Sequence, residues 1–295
     1  MVYLIDASVY IFRAWYSLPP DLADAEGQPT QALYGFARFL TDLLERRRPR
    51  YVAVAFDASH GRCFRNGLYP AYKANREPAP VQLTRQFELC REYCRHLGVA
   101  EFVDEVYEAD DLIGTLAALC RAQGLPVTVV SRDKDLAQLI GPGDVFWDYS
   151  EAVEYGYEEI AARFGAVPER MADYLALRGD SVDNVPGVPG IGAKTAAALM
   201  GLCASLDELF EQLDAVGRLP LRGAASLPAR LLAHRAAAYL ARSLTRIVCD
   251  VPMTAVHADL QRRAPDLTQI EAFCSGHGFG GLLRRQAERL ALSPS

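Results

Sequence analysis

Three short apolar runs in this chain each lead into an aspartate, and that pattern constrains the fold more than any other feature. Val2-Tyr3-Leu4-Ile5 leads into Asp6, Tyr51-Val52-Ala53-Val54-Ala55-Phe56 into Asp57, and Val127-Thr128-Val129-Val130, through Ser131 and Arg132, into Asp133. The runs are rich in β-branched residues and do not alternate with polar ones, as expected of strands buried on both faces. Helix-period segments separate them. Gln31 to Arg48 carries Leu33, Phe36, Leu40, Leu43 and Leu44 on one stripe, and Val81 to Leu97 and Asp110 to Gln123 are similar. Strands joined by helical crossovers make a parallel sheet covered by helices. Ligands of such sheets sit beyond the carboxyl ends of the strands. The three aspartates are therefore expected to share one crevice.

The pattern changes near Tyr157. Helical segments then follow one another with short Gly/Pro breaks: Glu158 to Phe164, Pro168 to Leu177, Ala193 to Leu199, Leu206 to Leu213 and Leu227 to Arg246. This predicts an α/β domain over 1–156 and a mainly helical lobe over 157–295, in keeping with a length of 295 residues. The apolar runs are strand-sized, so no membrane span is expected, and Asp6 and Arg13 interrupt what a signal peptide would keep apolar. Seven cysteines form no C-x-x-C pair and match no zinc spacing, which reads as reduced, mostly structural thiols in a cytoplasmic protein; a monomer is expected, though not from the cysteines.

The remaining acids come in tight sets. Glu108-Ala109-Asp110-Asp111 opens a helix, Asp133-Lys134-Asp135 follows a strand, and Asp180-Ser181-Val182-Asp183 lies at a Gly-flanked break. Each set alone has an ordinary explanation, since acids are favoured at helix starts and turns. Together they are harder to explain that way. Carboxylates crowded at buried strand ends cannot all stay ionised unpaired. Only Arg132 and Lys134 are basic within the sets, against nine acids: Asp6, Asp57, Glu108, Asp110, Asp111, Asp133, Asp135, Asp180 and Asp183. Oxygen ligands without His or Cys favour magnesium or manganese, and two such ions suit in-line attack on a phosphodiester.

The net charge of −6 argues against nucleic acid only as a total; setting aside the nine acids leaves +3. Gly61 to Arg85 holds five basic residues (Arg62, Arg65, Lys73, Arg76, Arg85) against Glu77 alone, with Phe64, Tyr69 and Tyr72 interleaved. A solvated loop would look similar, but positive charge suits phosphate and aromatic rings suit unstacked bases. Lys73 and Arg76 are spaced so that both can reach one phosphate and offset transition-state charge. The hairpin Val185-Pro186-Gly187-Val188-Pro189-Gly190-Ile191-Gly192-Ala193-Lys194-Thr195 is neither a Walker A loop nor a dinucleotide fingerprint. Its glycines permit close backbone approach, and the helix start that follows, with Lys194, offers N–H groups to phosphate. A tight interhelical turn is the plain rival. Arg218 to Arg246 adds six arginines and no acid, several of them expected to be simply solvated.

Taken in order, Asp6-Ala7-Ser8, Phe56-Asp57, Tyr72-Lys73-Ala74-Asn75-Arg76, Glu108-Ala109-Asp110-Asp111, Asp133-Lys134-Asp135, Gly179-Asp180-Ser181-Val182-Asp183-Asn184 and the glycine hairpin resemble the 5′-3′ exonuclease/flap endonuclease family. That family includes the N-terminal nuclease domain of bacterial DNA polymerase I. The resemblance spans nearly the whole chain. It implies a PIN-like domain with a helical arch at about 61–97, a helix-three-turn-helix lobe with its hairpin at 185–195, and cleavage of 5′-flap, nicked or branched DNA near the single-strand/double-strand junction. It implies Asp6, Asp57, Glu108, Asp110 and Asp111 around one Mg²⁺ or Mn²⁺ ion, and Asp133, Asp135, Asp180 and Asp183 around a second, with sharing. Lys73, Arg76 and Arg13 match catalytic positions, and Arg65, Tyr72, Gly187, Gly190, Gly192, Lys194 and Thr195 match DNA contacts, Tyr72 as a stacking ring. The hairpin is implied to hold a potassium ion through main-chain carbonyls. Ala7 stands where members commonly have glycine. No polymerase follows Ser295, so a free-standing nuclease with a functional link to a polymerase is expected.

Three other classes compete. A non-catalytic, structure-selective DNA-binding module would use the same basic segment and hairpin, at the electrostatic cost of nine purposeless carboxylates. A haloacid-dehalogenase phosphatase would use Asp6 as nucleophile but needs an aspartate where Ser8 stands. A PIN-type ribonuclease leaves the helical lobe unexplained.

Overall fold

Val2–Asp6 (β1) lies at the centre of a six-stranded sheet, paired in parallel with Tyr51–Asp57 (β2) on one side and Val127–Val130 (β4) on the other. Ala100–Asp104 (β3) pairs in parallel beyond β2, and Val145–Asp148 (β5) beyond β4. Val153–Gly156 (β6) closes that edge antiparallel to β5, so the sheet is mixed, in the order β3-β2-β1-β4-β5-β6. The chain leaves β1 toward β3 and returns to β4 on β1's other side. The strand order thus reverses at β1, where an α/β sheet opens its crevice. Asp6 and Asp57 end their strands there, and Asp133 follows β4. The computed structural model describes residues 1–58, 63–255 and 257–292; Gly61 and Arg62 of the basic segment, and Ser295, lie outside the described residues.

Both faces of the sheet are apolar. Val2, Leu4, Ala53, Ala55, Val127 and Val129 face one layer, and Ile5, Val52, Val54, Phe56 and Val130 the other. On the second face pack Ala7–Ser17 (α1), Gln31–Arg47 (α2) and, beyond Phe64–Leu68 (α3), Val81–His96 (α4). The stretch read as an arch therefore divides. Leu83, Cys90, Tyr93 and Cys94 of α4 are core residues; Lys73 and Arg76 lie on the turns before it, Arg65 on α3 and Arg85 on α4 itself. On the first face lies Ala109–Ala122 (α5).

The helical lobe shares that first-face core. Tyr157–Phe164 (α6), Met171–Arg178 (α7), Ala193–Leu202 (α8), Leu206–Glu211 (α9), Leu213–Val216 (α10), Leu227–Ala233 (α11) and Arg235–Thr245 (α12) contribute Ile160, Leu175, Leu199, Leu209, Val216, Leu231 and Ala238 to the cluster that holds Leu4 and Leu112. Leu267–Gly276 (α13) and Gly281–Leu292 (α14) behave differently. Ile270, Phe273, Leu283 and Ala287 pack into the second-face core beside α2 and α4, so the end of the chain returns to the first domain. No helix among the described residues is long and apolar enough to cross a membrane.

Candidate functional site

The acids at the crevice first serve as local caps. Asp6 accepts the Ser8 N–H at 3.1 Å where α1 begins, Asp133 accepts Asp135 N–H at 2.9 Å, and Asp180 accepts Val182 N–H at 2.8 Å. Capping thus accounts for one oxygen of each of these three acids. Two hydroxyls tie the strand ends together. Ser8 Oγ donates to Asp57 Oδ2 (2.7 Å), and Ser131 Oγ donates to Asp6 Oδ2 (2.8 Å) while accepting Asp133 N–H (2.9 Å). Ser131 was missed from sequence, although its place two residues before Asp133 mirrors Asp6 and Ser8. Asp57 Oδ1 also takes the Ala109 N–H at the start of α5 (2.9 Å), which brings Asp110 to the same place.

The acids act on one another. Burial, then the Asp57 and Asp133 charges, push Asp6 up to about 7 against the Ser131 hydrogen bond. Burial and then Asp133, Asp6 and Asp57 hold Asp110 well above the usual carboxylate range, and its carboxylate accepts no hydrogen bond among the described residues. Burial and then Asp133, Asp180 and Asp183 push Asp135 up to about 7, with Lys134 opposing. Asp135 Oδ1 is buried without an aligned donor, Lys134 Nζ lying 3.4 Å away. Acids from three strand ends, α5 and the 180–183 loop therefore form one electrostatically connected set.

The basic segment supplies cations that a count within the acidic sets overlooks. Arg65 is 2% exposed; it grips both Asp111 oxygens at 2.7 Å, reaches Glu108 at 2.8 Å, and donates to the Leu244 and Arg246 carbonyls at 2.9 and 3.0 Å. Asp111 also accepts Val248 N–H (2.8 Å) and Glu108 N–H (3.1 Å), so as the side chains stand it has no oxygen to lend. Tyr72 is 5% exposed and donates its hydroxyl to Glu108 at 3.0 Å, with Lys73 Nζ 5.0 Å from its ring centre. Arg65 and Tyr72, read from sequence as DNA contacts, are here buried supports. Lys73 pairs with Glu108 and lies 3.8 Å from Asp183, and Arg76 pairs with Asp183. Burial alone would raise Glu108, but Lys73 and Arg65 hold it below its usual value. Lys134 bonds Asp180 at 2.6 Å and lowers it against burial. Arg132 turns away, to Asp148 and Glu151.

As these side chains stand, no three acidic, His or Cys groups among the described residues close around one ion. The donor set nevertheless fits hard divalent cations. It is all oxygen, it includes the unbonded Asp110 carboxylate and the orphaned Asp135 Oδ1, and its members raise one another's proton affinity as a cation would relieve.

Arg13 is exposed on α1 and lines a cleft of about 340 Å³ with Tyr10, Ser17, Leu18, Gly35 and Tyr149. In the hairpin, Gly187 is packed so tightly that a Cβ would lie 2.6 Å from Arg178 O, and Gly190 turns at φ 77° against Arg230, whose guanidinium donates to Gly190 O at 3.3 Å. Gly192 and Lys194 are exposed where α8 starts without a side-chain cap; Thr195 is half-buried.

A sheet that gathers carboxylates at its switch point, joined to a helical lobe with an open hairpin, defines a resolvase-like α/β fold of the PIN type with an appended SAM-like module. The chain belongs to the 5′-3′ exonuclease family: residues 1–165 match its N-terminal resolvase-like domain and residues 166–268 its C-terminal SAM fold. It is 38% identical over 294 residues to DNA polymerase I of Rhizobium leguminosarum, covering 97% of this chain and 28% of that protein. To DNA polymerase I of Pseudomonas aeruginosa it is 41% identical over 251 residues, covering 85% and 27%. The chain spans roughly a third or less of the length of such curated relatives. Among solved structures, a bacteriophage T5 5′-exonuclease with bound zinc superposes with a TM-score of 0.68 at 19% identity, over 100% of this chain and 99% of that one. The catalytic core of Rad2 with a DNA substrate superposes with a TM-score of 0.62 at 16% identity, over 98% and 91%. At those identities the likeness is one of fold.

Proposed function

We propose that this chain hydrolyses phosphodiesters of 5′-flap, nicked or branched DNA near the junction of single and double strands, as a divalent-metal-dependent 5′ nuclease. The observation that carries this reading is the connected acid set at the sheet's switch point, with Lys73 and Arg76 beside it. Asp6, Asp57, Glu108 and Asp110 would hold one ion and Asp133, Asp135, Asp180 and Asp183 a second, with sharing. Asp111 braces Arg65 rather than lending an oxygen. Two Mg²⁺ or Mn²⁺ ions bound there supply an activated water and stabilisation of the leaving oxygen. Lys73 and Arg76 exchange Glu108 and Asp183 for the scissile phosphate and offset charge building on it. Arg13, two turns along α1 from Asp6, reaches the strand on the far side of the site. Gly187, Gly190, Gly192, Lys194 and Thr195 form a backbone-following grip on the duplex, where α8's free N–H groups meet phosphate without reading sequence. A potassium ion at this hairpin would share its carbonyls with Arg230. That the curated relatives are DNA polymerases I supports a working link to a polymerase; action as a monomer in the cytoplasm completes the proposal.

The test is cleavage of labelled flap, nicked and gapped DNA with magnesium, with and without chelator, beside Asp133→Ala. Cleavage that needs the metal and vanishes in Asp133→Ala while DNA binding survives supports the reading. Full turnover in that variant removes its basis.

A further inference from the structure

Two non-glycine residues adopt left-handed backbone where the basic turn meets the 180–185 loop: Lys73 at φ 54° and Asn184 at φ 55°. Asparagine tolerates this region; for lysine it is unfavourable and persists only where neighbours impose it. Three side-chain and backbone contacts impose it here. Lys73 N–H donates to Asp183 C=O at 2.9 Å. Asn184 Nδ2 donates to Ala71 C=O at 2.7 Å, and Asn75 Nδ2 donates to Ser181 C=O at 3.0 Å and Val182 C=O at 3.3 Å. On the far side of the loop, Asp180 and Val185 exchange both backbone hydrogen bonds, at 3.0 and 2.7 Å. Gly187 then presses on the Arg178 carbonyl. The turn carrying Lys73, the loop carrying Asp180 and Asp183, and the root of the glycine hairpin are thus fastened end to end.

We propose that Asn184 and Asn75 are positioning residues for Lys73, clasping its turn to the 180–185 loop so that a duplex held on the hairpin presents its phosphate to an ammonium already in place. This rests on the nuclease reading above. The physical need is plain. A lysine ammonium rides a flexible four-carbon stem, so its reach is set by where the backbone starts it. Relaxing Lys73 to negative φ would send the side chain in another direction from the same Cα. Asn184 and Asn75 spend their amide donors on the turn and the loop, so neither need touch DNA to act.

The substitution Asn184→Gly keeps the left-handed backbone accessible and removes the amide; Asn75→Ala removes the other half of the clasp and stands in should Asn184→Gly not fold. In single-turnover cleavage of a 5′-flap substrate with magnesium, each is expected to lower the rate about tenfold or more, with half-saturating DNA changed less than about threefold. In a Lys73→Ala background the same change should alter the rate less than about twofold, because the asparagines act through Lys73. A readout without metal or DNA accompanies it: amide exchange at Lys73 should quicken about tenfold in Asn184→Gly while β4 amides keep their rates. Equal losses with and without Lys73, or unchanged Lys73 exchange, overturn the proposal. If the unsubstituted protein cleaves no DNA with any divalent metal, the nuclease reading falls, and the exchange experiment still decides whether the clasp exists.

Discussion

Replacing Arg65 with methionine tests the most consequential departure from the sequence reading, the assignment of Asp111 to a buried fork. Arg65 and Asp111 have side chains 3% and 0% exposed. Arg65→Met leaves Asp111 with only two N–H donors for a full buried charge, and leaves the Leu244 and Arg246 carbonyls without their guanidinium donors. Breaking one side of a buried pair costs about 3–5 kcal/mol. The two remaining N–H donors place this case near the low end, and the two carbonyls add back about 1 kcal/mol in sum. The expected loss is about 4 kcal/mol, a fall in Tm on the order of 10 °C for a chain of this size. Urea and thermal unfolding in chelator would measure it, followed by circular dichroism. Arg65→Met combined with Asp111→Leu should recover about half of the loss, because no unpaired charge remains. A loss under about 1 kcal/mol, or strict additivity of the two changes, would refute the fork as the anchor joining the basic segment, α5 and the end of α12.

Other outcomes follow from the same geometry. Asp6 and Asp135 are held up to about 7, and Asp110 well above the usual carboxylate range, by burial first and neighbouring acids second. The folded state therefore keeps protons that the unfolded chain releases near pH 4, so in chelator Tm should fall as pH rises from about 4 to 7. Glu108 and Asp180, held low, lose their contribution only below that window. Magnesium binds the ionised acids, so its stabilisation should grow across the same interval; a Tm in chelator that is flat or rising there contradicts the mutual repulsion. Lys73→Ala should cut single-turnover cleavage at least about 100-fold with little change in DNA affinity; an unchanged rate would return Lys73 to a structural ion pair. Gly187→Ala, whose Cβ meets backbone at 2.6 Å, should lower both Tm and duplex affinity. Gly192→Ala, with open space around it, should leave Tm unmoved and weaken duplex binding alone; equal Tm losses in the two variants would show that the hairpin is only a turn.

The elements legible in the sequence are those whose physics is local. β1, β2 and β4 are buried on both faces, so apolar, β-branched composition is enough to mark them, and the aspartates that end them come with the strands. β3 escaped because Glu101 and Asp104 sit within it and the strand is only half-buried at a sheet edge. β6 is likewise exposed at the opposite edge and antiparallel, which a reading of parallel crossovers does not anticipate. α13 and α14 were placed with the helical lobe because they follow it in the chain; their apolar faces match α2 and α4 instead, a choice made by packing across more than half the molecule.

The candidate site shows the same division between local and distant causes. The acids announce themselves because each is also a cap or turn residue, so its position is fixed by its own few neighbours. Their neutralisation is not local. Arg65 lies 46 positions from Asp111, and Arg76 lies 107 from Asp183. Counting charges within the acidic sets therefore overstated the deficit of positive charge. Yet the correction strengthens the chemical case. Arg65 spends itself on Asp111, Glu108 and carbonyls inside the protein, whereas Lys73 is shared between Glu108 and Asp183 and the half-exposed Arg76 pairs with Asp183 alone. The Arg76 pair, open to solvent on the arginine side, is worth little alone, and a phosphate can engage both cations where they already converge on Asp183. Meanwhile Asp110 and Asp135 Oδ1 stay short of partners, and Asp6 is met only by neutral donors, the Ser8 N–H and the Ser131 hydroxyl, with no cation beside it among the described residues. A purely structural network would place its cations the other way round, against the acids that repel most. The mismatch is what a site needs if cations from solution complete the acids and a polyanion then claims the lysine and arginine.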